Sequence, residues 1–426
     1  MFKKIAGTKD ILPEEVGLWQ QIEGVSRRIF SLYNFKEIRT PIIEEKNLFF
    51  RSLGDTTEIV QKQMFEICHG EDHYCLRPEA TASVVRAYLE NNLDKQIGFI
   101  KLFYIGPMFR AERPQKGRLR QFHHIGVEAI GSLEPEIDIE IICLANSLLK
   151  AYGIDGFRLE INSLGCFEDK KKFVEVLREK LKPSLSELCS ECQIRYQRNI
   201  LRILDCKQDS CKQLLKDIPA GTDFLCSFCK THFQTVISGL KAQQIPYFLS
   251  KFLVRGLDYY NRTVFEFKHP DLGPQQDALG AGGRYDSLVK QLGGEETGAV
   301  GFALGIERLL LVLNKKNWIP QKIPLVYLIC LGENARKHGI NLLAKLRENG
   351  ITADTDFEHR SLKGALRKAN DFSARYVLIL GDDELKTNTI TLKDMRDGNQ
   401  QKVLLSEIVQ VIKRLFDSEN NNKTKD

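Results

Sequence analysis

The spacing of apolar positions divides the chain at about residue 320. Beyond that point, short apolar runs alternate with amphipathic stretches. Residues 325–331 form a continuous apolar run of strand length, and 333–347 carry apolar side chains at helical spacing and close on Asn349-Gly350. A strand over 351–355, a helix over 361–371 and a second apolar strand over 376–380 follow. Two further strand-like stretches, 389–395 and 401–405, precede a closing helix near 406–416. This order predicts a small α/β layer domain over 325–416. Trp318-Ile319-Pro320 and Pro324 mark its boundary, and the polar, Asn-rich 417–426 predicts a disordered tail.

Residues 1–320 follow a different pattern. Strand-like runs at 98–104, 124–130, 157–162 and 263–267 are joined by turns and helices with no regular βαβ alternation. That predicts an α+β domain on a largely antiparallel sheet flanked by helices. A Lys- and Cys-rich insert over 165–245 interrupts it. No internal repeat, no Gly-x-x-x-x-Gly-Lys loop and no Gly-x-Gly-x-x-Gly after a strand is present, so a bound nucleotide would be held by side chains.

Composition narrows the class further. A length of 426 residues with 42% hydrophobic residues predicts two or three ordinary domains. The apolar runs are far too short to cross a bilayer, and Gly7-Thr8-Lys9-Asp10 stands where a signal peptide would need an apolar stretch. The expectation is a soluble, cytoplasmic protein with no membrane partner. A net charge of +6 is compatible with a nucleic-acid partner but does not establish one. Eleven cysteines, an odd number, argue for reduced or metal-bound thiols over a disulfide framework.

Three segments concentrate candidate chemistry. Residues 109–122, Phe-Arg-Ala-Glu-Arg-Pro-Gln-Lys-Gly-Arg-Leu-Arg-Gln-Phe, read as a hairpin with a cationic loop. Arginine forks there suit phosphate, and an adjacent aromatic can stack on a base, although a solvated charged turn has the same composition. Residues 299–309 read as a glycine-interrupted strand turning into a Leu-rich helix. Within it, Arg308 fits either a ligand contact or a structural ion pair with Glu307 or a neighbouring acid. Residues 35–44 read as a strand punctuated by Pro41.

In this order the three segments resemble the three motifs of class II aminoacyl-tRNA synthetases. Two further peptides, Leu253-Val254-Arg255-Gly256-Leu257-Asp258-Tyr259-Tyr260-Asn261-Arg262-Thr263 and Ala281-Gly282-Gly283-Arg284-Tyr285-Asp286, look like the histidine-specific peptides of the histidyl-tRNA synthetases. Gly7-Thr8-Lys9-Asp10 and Leu76-Arg77-Pro78-Glu79-Ala80-Thr81 are similar to the same family, and the resemblance spans the chain apart from its tail. It implies a six- or seven-stranded antiparallel active-site sheet, a homodimer formed around the first motif, and a C-terminal anticodon-binding domain. It also implies ATP with Mg, L-histidine and the cognate tRNA as substrates.

The resemblance assigns roles residue by residue. Arg110 and Arg255 become the catalytic cations, Arg110 at the α-phosphate and Arg255 between the histidine carboxylate and the α-phosphate. Glu112, Arg118, Phe122 and Arg308 complete the ATP site with Arg110. Glu79, Ala80 and Thr81 fall at the histidine ammonium, where capping of a helix by Glu79 and Thr81 is the alternative. Glu128 and Tyr260 fall at the imidazole, with Tyr259 and Tyr285 lining the pocket. A carboxylate and a phenol can engage both ring nitrogens. His124 stands where the family pattern has glutamine: a neutral imidazole would accept from the ammonium, whereas a protonated one would repel it. Arg113, Gln115 and Lys116 fall at the tRNA acceptor end. Lys363, Arg367 and Lys368 in the last domain are basic but fit a solvated helix face equally.

Cys189-x-x-Cys192 and Cys226-x-x-Cys229 have zinc-ligand spacing, with Cys206 and Cys211 between them. One structural zinc on Cys189, Cys192, Cys226 and Cys229 is the metal expectation, against reduced cysteines packed in the insert. Two other functions remain open: a non-catalytic histidine-sensing paralogue, and a nucleic-acid-binding accessory protein. Both should have lost phosphate-binding arginines, yet Arg110, Arg255 and Arg308 are all present.

Overall fold

The computed structural model describes residues 2–54, 57–273, 277–315 and 325–423; the junction expected at Trp318-Ile319-Pro320 and Pro324 lies outside the described residues. Two compact units result, Met1–Pro320 and Gln321–Asp426. In chain order the strands of the first are β1 Lys36–Glu37, β2 Ile43–Glu45, β3 Phe65–His69, β4 Asp72–Leu76, β5 Ile100–Phe109, β6 Gln121–Ile130, β7 Arg158–Ser163, β8 Tyr247–Leu249, β9 Asn261–Lys268, β10 Ala278–Arg284 and β11 Ala299–Gly305.

The main sheet has eight strands in the order β1-β5-β6-β11-β10-β9-β7-β8. It is antiparallel throughout its centre and parallel only where the short edge strands β1 and β8 join. These two edges account for the excess over the six or seven strands expected. Pro41 sits between β1 and β2, and β2 belongs to a separate three-stranded sheet, β2-β4-β3.

Strand alternation assigns the faces of the main sheet. Ile125, Val127 and Ala129 of β6, Phe265 and Phe267 of β9, and Val300, Phe302 and Leu304 of β11 point to one side. There they bury against the helices Pro13–Leu32 and Pro135–Ala151 through Trp19, Ile22, Phe30, Ile141 and Leu148. The intervening residues, among them Phe122, His124 and Glu128 of β6, therefore share the opposite face. That face is roofed in part by the helix Thr81–Glu90.

The insert departs from its expected limits. Its own core runs from Phe173 to Ile218 and includes Leu177, Cys192, Ile203, Cys206 and Cys211. The helix Ser227–Ala242, expected within 165–245, instead buries Phe233, Val236 and Leu240 in the core under the main sheet. Its His232 is 2.8 Å from buried Asp138.

The second unit contains β12 Val326–Cys330, β13 Ala353–Thr355, β14 Tyr376–Leu380, β15 Thr389–Asp394 and β16 Gln400–Leu404, in the order β13-β12-β14-β15-β16. The first three are mutually parallel, with helices Glu333–Glu348 and Leu362–Asp371 as connections, which is the α/β layer expected. The tail differs from expectation. The last helix runs Ile408–Lys423, so residues 417–423 are helical and not a disordered tail. Glu419 holds that turn by an ion pair of 2.6 Å with Arg375 and a 3.0 Å bond from the Tyr376 hydroxyl. Residues 424–426 lie outside the described residues.

Candidate active site

The open face of the main sheet carries a cavity of about 280 Å³. Twelve of the expected residues line it: Glu79, Thr81, Arg110, Glu112, Arg118, Phe122, His124, Glu128, Arg255, Tyr259, Tyr260 and Arg308. Tyr285 reaches it through its hydroxyl, which donates to Glu128. Ala80 is buried as the N-cap of the helix Thr81–Glu90 and is not part of the lining. Arg113, Gln115 and Lys116 are exposed on the loop between β5 and β6, where Gln115 and Arg118 bridge through their backbones. They do not join the cavity.

Glu128 is the centre of an acidic, tyrosine-lined group. Its Oε1 accepts from the Thr81 hydroxyl at 2.8 Å and the Tyr104 hydroxyl at 3.3 Å, while Tyr285 donates to Oε2. Two glycines make this possible. Gly301 faces Glu128 across β11–β6, where a Cβ would lie 2.0 Å from Oε2; Gly126 faces Tyr104, where a Cβ would lie 2.3 Å from the ring and hydroxyl. Burial raises the Glu128 carboxyl to about 8, against the donors that favour its charged form. It is therefore largely a protonated acid at neutral pH.

Glu79 shows the capping alternative directly. Its oxygens accept from the backbone N–H groups of Thr81 at 2.6 Å and Ala82 at 2.9 Å. Thr81 is not a cap: its hydroxyl goes to Glu128. Each Glu79 oxygen keeps acceptor capacity beyond its one N–H, so capping and ammonium binding are compatible. Burial raises its carboxyl above the usual range, opposed by those N–H groups and by Arg110.

The arginines form a second group. Arg110 donates to the Pro78 carbonyl at 3.0 Å and lies over the Phe122 ring at 5.3 Å. Buried Glu112 is 2.7 Å from Arg118 and 3.9 Å from Arg110. Arg308 donates to the carbonyls of Ala278 at 2.7 Å and Gly117 at 3.2 Å. Its expected alternative partner, Glu307, instead receives the backbone N–H and ring nitrogen of His123, each at 3.0 Å. Arg255 pairs with Glu266 at 3.1 Å and lies 5.7 Å from the Tyr260 ring centre.

Two buried pocket atoms, Arg255 Nε and His124 Nδ1, have no hydrogen-bond partner among the described residues. Buried polar groups are seldom left so, and both atoms belong to residues that line the cavity. Burial, then the charges of Arg110 and Arg308, depress the His124 imidazole to about 3. It is neutral at physiological pH and can accept a hydrogen bond.

Two polar lining residues escaped the sequence reading, Tyr104 and Glu266, while Glu307 was read only as an alternative partner of Arg308. Tyr104 left a faint signal in its glycine partner Gly126, whose pairing depends on register. Glu266 left a clearer one, a carboxylate alternating with Phe265 and Phe267 on a strand whose other face is core. Within the Ala281–Asp286 peptide, only Tyr285 of the charged or aromatic residues faces Glu128. Arg284 is fully buried against Asp138 at 2.7 Å, Asp286 at 3.0 Å and the Glu134 carbonyl at 3.2 Å.

The two cysteine pairs do not meet, contrary to the single site expected. Cys189 and Cys192 converge with Cys206 and Cys211, whereas Cys226 and Cys229 converge with Cys166 and Asp169. The reason is the packing of Ser227–Ala242, which carries its N-terminal pair to the root of the insert and away from the insert's core.

A family model described as histidyl-tRNA synthetase matches residues 7–309, and one described as an anticodon binding domain matches 325–415. The histidine–tRNA ligase of Halothermothrix orenii is 45% identical over 96% of this chain and 98% of its own. That of Thermodesulfovibrio yellowstonii is 44% identical over 98% of this chain and 100% of its own. Among solved structures, the apo histidyl-tRNA synthetase of S. aureus superimposes with a TM-score of 0.81 at 35% identity, covering 96% of this chain and 99% of that one.

Proposed function

The chain belongs to the histidyl-tRNA synthetase family, and from that premise we propose how its pocket divides the work of a histidine–tRNA ligase. The reaction is ATP-dependent: histidine and ATP, which arrives with Mg, give histidyl-adenylate and pyrophosphate, and the histidyl group then passes to the 3′ end of the tRNA with release of AMP.

The observation that carries the division is the pair of orphaned buried atoms, Arg255 Nε and His124 Nδ1, set between a carboxylate group and an arginine group. Activation brings a carboxylate onto a phosphate, so fixed cations must offset the repulsion of two anions. Arg255, its guanidinium anchored by Glu266, offers its free Nε–H where the histidine carboxylate and α-phosphate meet. Arg110 and Arg308 hold the phosphates, and Phe122 supplies the adenine platform with Glu112 and Arg118 beside it. Glu79 and His124 accept from the α-ammonium. Glu128 engages one imidazole nitrogen and Tyr260 the other, while Tyr259 and Tyr285 shape the pocket. Since burial keeps Glu128 largely protonated at neutral pH, it can donate to a neutral imidazole or yield its proton to form a carboxylate–imidazolium pair.

Arg113, Gln115 and Lys116 on the β5–β6 loop meet the acceptor end, and the second unit binds the anticodon region. A homodimer built around the first-motif segment, where Ile42 and Ile43 are 41% and 52% exposed, completes the assembly. Light scattering on the purified protein reads its mass directly. No helix of the described residues is long and apolar enough to cross a membrane, which accords with a cytoplasmic site of action.

The test of the site is ATP–pyrophosphate exchange with each of the twenty amino acids, without tRNA. Exchange with histidine alone is expected, and Arg255→Gln should lower kcat about 10²–10³-fold, the loss of one preorganised donor. Unchanged exchange in that variant would refute the role given to Arg255.

A further inference from the structure

We propose that the chain holds two separate structural metal ions of the zinc type: one on Cys189, Cys192, Cys206 and Cys211 inside the insert, the other on Cys166, Asp169, Cys226 and Cys229 at its root. In each group the four ligand atoms lie within 4.8 Å of one another. A tetrahedron with metal–sulfur bonds of about 2.3 Å has edges of about 3.8 Å, and the Cys189 and Cys206 sulfurs are 3.9 Å apart.

The chain positions these ligands by one repeated device. Cys166, Cys189 and Cys226 are each the N-cap of a helix of nine residues or more, and Asp169, Cys192 and Cys229 stand three residues further on. Two ligands thus project from each helix start, where the backbone N–H groups and helix dipole favour anionic thiolates. Cysteine is not among the favoured N-cap residues, so helix stability alone does not call for it there. Cys166-x-x-Asp169 then pairs with Cys226-x-x-Cys229, and Cys189-x-x-Cys192 with Cys206 and Cys211. The backbone N–H of Cys189 donates to the Cys211 sulfur at 3.3 Å, a bond that supports a thiolate.

Packing as small apolar side chains would account for buried Cys192, Cys206 and Cys211 individually, but it gives no reason for four sulfurs to meet at one point. In the second group the decisive residue is Asp169. It is 1% exposed, and no ion pair joins it among the described residues. Its oxygens accept the backbone N–H groups of Cys226 at 2.9 Å and Cys166 at 3.3 Å, and its other neighbours are the Cys229 and Cys166 thiols of the same group. A buried carboxylate without a cationic partner is costly, and a divalent ion shared with three thiolates would supply that partner. None of the eleven cysteines is in a disulfide.

The two ions would divide the labour. The first replaces core that so small a helical lobe cannot bury, and the second ties the point where the chain enters the insert, Cys166, to the point where it leaves, Cys226.

Full-length protein purified without chelator and analysed by plasma mass spectrometry should carry about two equivalents of zinc per chain. Cys206→Ser and Cys229→Ser should each lower this to about one, and cobalt substitution should give thiolate-to-metal absorption that falls in both variants. Should a variant fail to fold, the parent protein still decides the matter. Near-zero metal with all eleven thiols open to alkylation after denaturation, or a disulfide within either group, overturns the proposal. A parent content near one, abolished by Cys206→Ser and untouched by Cys229→Ser, overturns the site at the root.

Discussion

At the residue scale, Glu128 has three hydroxyl donors, from Thr81, Tyr104 and Tyr285, and a fold-imposed proton. Glu128→Gln preserves its size but turns one oxygen into a donor that faces other donors. The KM for histidine in exchange should rise about ten- to a hundredfold, corresponding to about 1.5–3 kcal/mol for a hydrogen bond to a charged partner. An unchanged KM would remove Glu128 from the imidazole contact. His124 makes a prediction of opposite kind. An imidazole held neutral by burial to about 3, but free to protonate near 6.5 when unfolded, contributes stability that is intact above 6.5 and lost as pH falls toward 3. His124→Gln keeps an acceptor without that liability. It should sustain histidine-dependent exchange at pH 7, and its denaturation midpoint should fall less than the parent's between pH 7 and pH 4. Equal acid losses in the two proteins would show that His124 titrates freely in the fold.

Elements carry the second group of effects. Arg284 ends β10 and joins it to the helix Pro135–Ala151 through Asp138, so the peptide that looked histidine-specific is half a structural clamp. A lysine there offers one point charge where the guanidinium serves two carboxylates and the carbonyls of Ser132 and Glu134. Arg284→Lys should cost about 3–5 kcal/mol in denaturant unfolding, with the KM for histidine little changed in the protein that remains folded. A loss below 1 kcal/mol would make the clamp redundant. The same element shows what could be read from the chain. The strands expected at the centre of the sheet were legible where core residues alternate at period two, as Ile125, Val127 and Ala129 do in β6, while β3, β4, β8 and β10 were not expected. The arginines were legible because they lie within motifs of contiguous residues, whereas Glu128 lies in none of them and was assigned through the family resemblance. Tyr104 and Glu266 were not, since each owes its place to a cross-strand partner. The cysteine pairing failed for a related reason: spacing fixes each Cys-x-x-Cys unit, but where Ser227–Ala242 packs decides which units meet. The tail failed because its polar composition says nothing of Arg375, whose charge secures Glu419 from 44 residues away.

At the scale of the whole molecule, the pocket and the expected tRNA-binding surface are separated by chain position. Every residue lining the cavity lies within Met1–Pro320, while Gln321–Asp426 has its own sheet and its own buried core around Val326, Leu342, Leu378 and Ile412. On the proposed division, activation requires only the first unit and selection of the tRNA draws on both. A protein ending at residue 320 should therefore retain histidine-dependent pyrophosphate exchange with KM values for histidine and ATP within about threefold of the full chain, as for sites that share no partners. Charging of tRNA should fall by about a hundredfold or more, and its residual rate should depend less steeply on salt, because phosphate contacts have been removed. Loss of exchange from a truncated protein of native helical content would mean that the second unit shapes the pocket, and retention of full charging would deny it any part in holding the tRNA. The two failures differ in which step they strike, so a single truncated protein assayed for both reactions separates the chemistry of the sheet from recognition by the second unit.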